Sequence, residues 1–160
     1  MKLRRSFTPE PPCRAFTLVE IMVVVVIIGL LAAIAIPTIA KVRRNAQNSR
    51  FINDLRAFSQ AYETYALKYG SWPPNAGTGV VPTGMSGELR DANWTAVTSL
   101  GGHWNWDYKY VSSITAGISV VGATVDDAQM AEIDAKIDDG DLATGNFVKV
   151  NDRYTYILQK

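Results

Sequence analysis

Cysteine and histidine are almost missing from this 160-residue chain, at one copy each. Cys13 alone cannot close a disulfide, so any small fold must hold by packing, by neighbours or by a metal. It also precedes the long apolar run, whereas a lipid-bearing cysteine would follow one, so it reads as incidental. His103, beside Gly101-Gly102, reads as a loop or packing residue. There is no Gly-x-Ser-x-Gly and no phosphate-cradling glycine loop, so neither hydrolysis nor nucleotide chemistry is signalled. No catalytic residue is identified and the chain does not read as an enzyme. Charge is the third scarcity, and it is local. Glu20 is the only ionisable side chain from Phe16 to Ala40, and Ile21 to Ile36 holds no charged or strongly polar group.

What is present there is length. Phe16 to Ala40 is 25 residues, enough at about 1.5 Å per residue to cross a bilayer core of roughly 30 Å. Pro37 cannot donate to the Ala33 carbonyl and is expected to bend or loosen a helix, and Gly29 is a second soft point. Residues 1–15 are basic and broken by Pro9, Pro11 and Pro12, and read as a targeting leader. Basic residues flank the run on both sides, four before and five after within 20 residues, so charge does not decide orientation. A carboxylate inside a membrane helix is costly, of order 2.5–3.5 kcal/mol at the centre and less near an end. A cut between Ala15 and Phe16 supplies a remedy, because the new α-amine, with a pKa of about 7.7–8.0, is largely protonated and lies one turn from Glu20. A cut after Thr38-Ile39-Ala40 would instead release a secreted domain and leave Glu20 unexplained.

Residues 41–69 continue the helix as a stem. Phe51, Leu55, Phe58, Tyr62, Tyr65 and Tyr69 recur at steps of four and three along one stripe, with Arg43, Arg44, Arg50 and Arg56 off it. Gly70 and Pro73-Pro74 stop it. Residues 71–102, rich in Gly and Pro, read as a long surface loop with a short helical turn near Asp91 to Leu100; such a length is unusual unless packed down or functional. From Trp104 the period becomes two. Trp104, Trp106, Tyr108 and Tyr110 share one face of a half-buried strand, which favours core packing over stacking on sugars or bases. Ile114 to Val121 is a second strand. Thr124 with Asp127 opens a helix bearing Met130, Ile133 and Ile137, and Val148 to Leu158 is a hairpin turning at Asn151-Asp152. The strands read as sequential and antiparallel. The fold class is α+β: a long N-terminal helix packed on a small antiparallel sheet, divided as residues 1–15, 16–40, 41–69 and 70–160.

Charge is segregated along those divisions. Residues 1–15 carry +3, residues 41–69 carry +4 and residues 70–160 carry −5. Such a pattern fits head-to-stem attraction between copies or a stem near anionic lipid, and equally fits ordinary solvated helix faces. The acidic head argues against binding nucleic acid.

Ala15-Phe16-Thr17-Leu18-Val19-Glu20, with basic residues before it and an apolar run after it, resembles the processing site of type IV prepilins and type II secretion pseudopilins. The resemblance covers Arg14 to Pro37. It implies that a membrane aspartyl peptidase cuts on the cytoplasmic side before Phe16 and N-methylates it, and that Glu20 then guides subunits into a helical filament. Gly29 and Pro37 match places where family helices bend or melt on assembly. Ala15 departs from the usual Gly, although a small residue persists. The family's lollipop shape agrees with the stem and sheet, and Gly101 to Tyr108 and the Asp-Asp-Gly to Thr-Gly segment are similar to the pseudopilin branch.

Asp138, Asp139 and Asp141 surround Gly140 at the end of a helix, where negative charge opposes the macrodipole. That misfit makes them calcium candidates, since carboxylates on a tight loop suit the ion. The major pseudopilin of type II secretion is similar in holding calcium near its C-terminal loops. The spacing is not that of an EF-hand, and an acidic face for neighbouring stems explains the residues as well. The sequence thus reads as a pseudopilin of a type II secretion-type filament. Its implied partners are prepilin peptidase, an inner-membrane assembly platform, lipid, and other copies or related pseudopilins. Its implied place is the inner membrane, single-pass, with the head on the periplasmic side. A type IV pilus or competence subunit, and a secreted or single-pass anchored binding domain, are the alternatives.

Overall fold

The computed structural model describes residues 16–111 and 114–160; the leader, with Cys13 and Ala15, lies outside them, as do the side chains of Tyr110 and Val111. Contacts divide the chain into two units that meet between Lys41 and Val42. The apolar run of the first unit and the stripe of the second belong to one helix, α1 (Leu18–Tyr69), with Pro37 inside it. Helical assignment is unbroken at Pro37, and the Thr38 hydroxyl donates to the Ile34 carbonyl at 3.0 Å in the same turn. Gly70, at φ 69°, takes the left-handed position that ends a helix, its N–H bonded to the Ala66 carbonyl at 2.9 Å.

In the second unit the stripe does what its spacing predicts. Phe51, Leu55, Phe58 and Tyr62 are buried, each step of three or four residues returning to the same face. The stripe fades toward its end: Tyr65 is half-buried and Tyr69 exposed. Opposite it lie β1 (His103–Val111), β2 (Ile114–Val121), β3 (Phe147–Val150) and β4 (Arg153–Gln159), paired antiparallel in the order β1-β2-β4-β3. Trp104 stacks on Phe51 at 4.7 Å between ring centroids, and Trp106 on Tyr62 at 3.9 Å. Each such buried side chain contributes about 1.5–3 kcal/mol of transfer free energy.

The strands are antiparallel but not in sequential order. α3 (Asp127–Ile137) and the loop after it carry the chain past the sheet, so β3 becomes an edge and β4 returns between β3 and β2. The edge is only four residues long and carries Lys149, both of which discourage further pairing. The β3–β4 hairpin turns at Asn151, whose φ of 55° suits a short amide side chain. α3 is capped by Asp126, whose carboxylate accepts from the Gln129 N–H at 2.9 Å; Thr124 instead bonds the Leu100 carbonyl.

Residues 71–102 contain α2 (Asp91–Thr95) and are packed down on the core. Met85, Leu89, Trp94 and Leu100 are buried, and the Trp94 indole donates to the Val80 carbonyl at 2.9 Å. At the end of the segment Gly102 is required: a Cβ there would lie 2.3 Å from the Val121 carbonyl oxygen.

The far face of the sheet is not left to water either. Asn105 and Asp107, which alternate with the aromatics of β1, are buried with Ser119 and Thr155. The Asn105 amide donates to Asp107 at 2.8 Å, the Ser119 hydroxyl donates to the other Asp107 oxygen, and Arg153 pairs with Asp107 at 3.1 Å. The Thr78 hydroxyl reaches Asn105 from the packed-down segment.

Candidate assembly helix and acidic loop

The first unit presents almost nothing but apolar surface. Phe16 and the large apolar residues from Leu18 to Ile39 are exposed along the helix, which among the described residues is the one helix long and apolar enough to cross a membrane. A contiguous surface of that kind needs a cover, either lipid or other chains. Its start is built by two side chains. The Thr17 N–H and the Thr17 hydroxyl each donate to Glu20 Oε2 at 2.9 Å, and the Glu20 N–H donates to the Thr17 hydroxyl at 3.3 Å. This is a capping box, two backbone donors of the first turn satisfied reciprocally. Glu20 is therefore committed to its own helix in the uncleaved chain. Thr17 is not a candidate on composition alone; the Thr-x-x-Glu spacing is the signal that identifies it. Nothing lies within 4 Å of a Cβ built on Gly29, so packing within the subunit does not require glycine there. Ala15, on the other side of the expected cut, lies outside the described residues.

The second unit holds a carboxylate cluster at the end of α3. Asp134, Asp138 and Asp139 each place one oxygen within 4.8 Å of the others. Asp138 accepts from the Asn146 and Phe147 N–H groups. Asp139 accepts from the Asp141 N–H at 2.9 Å and the Thr144 hydroxyl at 2.7 Å, and those bonds hold its carboxyl below the usual range. Asp141 turns away, accepting from the Ala143 N–H at 3.0 Å, so it is not in the triad. The member that the motif around Gly140 does not reveal is Asp134. It is fully buried, and neither carboxylate oxygen makes a well-formed hydrogen bond, the Gly140 N–H and the Asp139 carboxyl being the polar groups beside it. Burial, then the neighbouring Asp139 and Asp138 charges, push its carboxyl up to about 6. Its sequence signal is the four-residue step to Asp138 on the helix face shared with Met130, Ile133 and Ile137.

A buried carboxylate with poorly met acceptors facing two more carboxylates is costly unless a proton or a cation sits among them. Hard oxygen donors on a tight loop fit calcium. His103 takes no part: it opens β1, where it bridges to Val97.

Comparison with known proteins places these features. Residues 11–36 match the model of the prokaryotic N-terminal methylation motif. The chain is similar to the type IV major pilin protein PilE1 of Neisseria gonorrhoeae, 32% identical over 110 residues, 69% of this chain and 42% of that protein. It is also similar to type II secretion system core protein G of Klebsiella pneumoniae, 38% identical over 60 residues, 38% of this chain and 43% of that protein. In both cases the chain spans less than half the length of its relative. Among solved structures, the major type IV pilin PilA1 of Clostridium difficile superposes with a TM-score of 0.53 at 14% identity, over 75% of this chain and 98% of that one. The long N-terminal helix on a four-stranded antiparallel sheet is thus the fold of a type IV pilin.

Proposed function

We propose that this chain, which carries the prokaryotic N-terminal methylation motif on a type IV pilin fold, is a filament subunit of the type II secretion kind. The observation that supports this best is the exposed apolar helix opened by a single carboxylate. In this reading residues 1–15 are a cytoplasmic leader removed by a prepilin peptidase before Phe16. Residues 16–40 hold the subunit in the inner membrane until an assembly platform moves it into the filament, where the same apolar surface packs against other copies or related pseudopilins. Residues 41–69 carry residues 70–160, the head, on the periplasmic side. The role is structural, not catalytic. Mass spectrometry of the chain purified from membranes tests it: the expected N-terminus is a methylated Phe16. A start at Lys41 would overturn the reading in favour of a secreted domain, and an unprocessed chain would remove the peptidase from it.

A type IV pilus or competence subunit is the second reading, favoured by the longer stretch shared with PilE1. Deleting the chain separates them: loss of a secreted protein from the medium supports the first, loss of surface filaments or of DNA uptake the second.

We also propose calcium as a structural ion of the head. Asp134, Asp138 and Asp139 would hold it, and the buried, poorly satisfied Asp134 carboxylate converging on the other two is the observation that supports this. The ion would supply the counter-charge that the buried carboxylate lacks and tie the end of α3 to the chain entering β3.

A further inference from the structure

Ion pairing within the second unit is selective. Arg44 pairs with Asp126 and Glu132, Lys68 with Glu88, Lys149 with Asp127, and Arg153 with Asp107 and Asp152. Among the described residues, Arg43 and Arg50 make no ion pair, and neither do Asp139 and Asp141. All four are exposed. Arg43 and Arg50 are seven residues apart on α1, two turns or about 10 Å, which puts them on one flank, beside the buried stripe of Phe51, Leu55, Phe58 and Tyr62.

We propose that this arginine flank of α1 docks the Asp139–Asp141 loop of a second copy of the chain. The inference rests on the filament reading and adds to it which surfaces meet. Three features carry it. The charges are opposite and unused inside the subunit. The loop is pre-shaped, since both of its exposed carboxylates are oriented by backbone donors, Asp139 by the Asp141 N–H and Asp141 by the Ala143 N–H. And the loop stays acidic with a divalent ion bound, because four carboxylates from Asp134 to Asp141 outnumber its two charges. Anionic lipid is the rival occupant of the arginines. Arg43 and Arg50 lie three and ten residues beyond Ala40, about 4.5 Å and 15 Å of helical rise, so Arg50 is the one beyond the Debye length of about 8 Å at physiological salt and is the residue the test turns on.

The test is charge reversal in the full chain, with filaments counted by electron microscopy and folding checked by thermal melting. Arg50→Glu is expected to lower filament yield about tenfold, as like charges are brought together across the contact. Asp141→Lys, which leaves the Asp134, Asp138 and Asp139 triad intact, is expected to do the same. The double variant is expected to recover most of the yield. Full yield from Arg50→Glu overturns the contact, and a double variant no better than either single one assigns Arg50 to lipid or solvent and overturns it too. In both cases wild-type filaments leave the filament reading standing. A wild-type chain that forms no filaments removes that reading, and this contact with it.

Discussion

Thr17 and Glu20 cap each other: one carboxylate oxygen takes both Thr17 donors, and the Thr17 hydroxyl takes the Glu20 N–H. The one charge of the apolar run thus already has work before any partner arrives. The proposed cut before Phe16 would change its surroundings by adding an α-amine one turn away, and cap and charge pair would then compete for the same carboxylate.

Glutamine separates the two roles. Glu20→Gln keeps an oxygen able to cap but loses the charge, while Glu20→Ala loses both. Losing the cap frays one helix end, whereas losing the charge leaves an opposing amine without its partner inside an assembly. Both variants are expected to insert in the membrane and to lose filaments by well over tenfold. Wild-type filament counts in Glu20→Gln would show that the carboxylate serves only as a cap.

Tyr62 stacks on Trp106 in the centre of the head while its hydroxyl, fully buried, finds no hydrogen-bond partner. Desolvation raises the hydroxyl pKa far above the usual tyrosine value. An unmet buried polar group costs about 1–3 kcal/mol, so Tyr62→Phe is expected to raise the melting temperature by several degrees with the ring stack intact. Tyr62→Ala opens a cavity and is expected to cost about 3–5 kcal/mol. A Tyr62→Phe variant that melts lower than wild type would mean that the hydroxyl is satisfied, by water or otherwise.

Periodic features of the chain were legible and irregular ones were not. Phe51 to Tyr62 and Trp104 to Tyr108 declare helix and strand because a single element sets their spacing. Met85, Leu89, Trp94 and Leu100 follow no period, and their burial depends on where a Gly- and Pro-rich segment happens to be pinned. Asn105 and Asp107 alternate as a solvent face should, yet Thr78 and Arg153, distant in sequence, close over them. Asp134 is hidden for a related reason. A carboxylate on an amphipathic helix reads as solvated, and only the chain returning past Asp138 toward β3 shows that it is enclosed.

That enclosure is expected to make the head sensitive to the proposed ion and to protons. Adding calcium is expected to raise the melting temperature of the wild-type chain, and chelator to reverse the rise. In chelator, the folded Asp134 carboxyl binds its proton more tightly than the unfolded one, about 6 against 3.8. Its stabilising protonated form is therefore fully present below 3.8 and is lost as pH rises through 6, so stability falls over that window. Asp134→Asn is expected to remove both the calcium shift and this part of the pH slope without lowering the melting temperature in chelator. A calcium shift that survives in Asp134→Asn would place the ion elsewhere.

Asp107 ties three strands together from the face away from α1. It lies on β1, accepts from Ser119 on β2, and pairs with Arg153 on β4, with both side chains of the pair largely shielded from water. A buried pair is weak evidence for net stability, because desolving two charges offsets their attraction, but breaking one is costly. Arg153→Met leaves the Asp107 charge uncompensated and is expected to cost about 3–5 kcal/mol. Adding Asp107→Asn to Arg153→Met removes that charge and keeps the amide within reach of Ser119 and Asn105. The double variant is therefore expected to be more stable than Arg153→Met alone in urea unfolding of the full chain. Equal stability of the two would mean that water reaches Asp107 and that the pair does not lock the sheet.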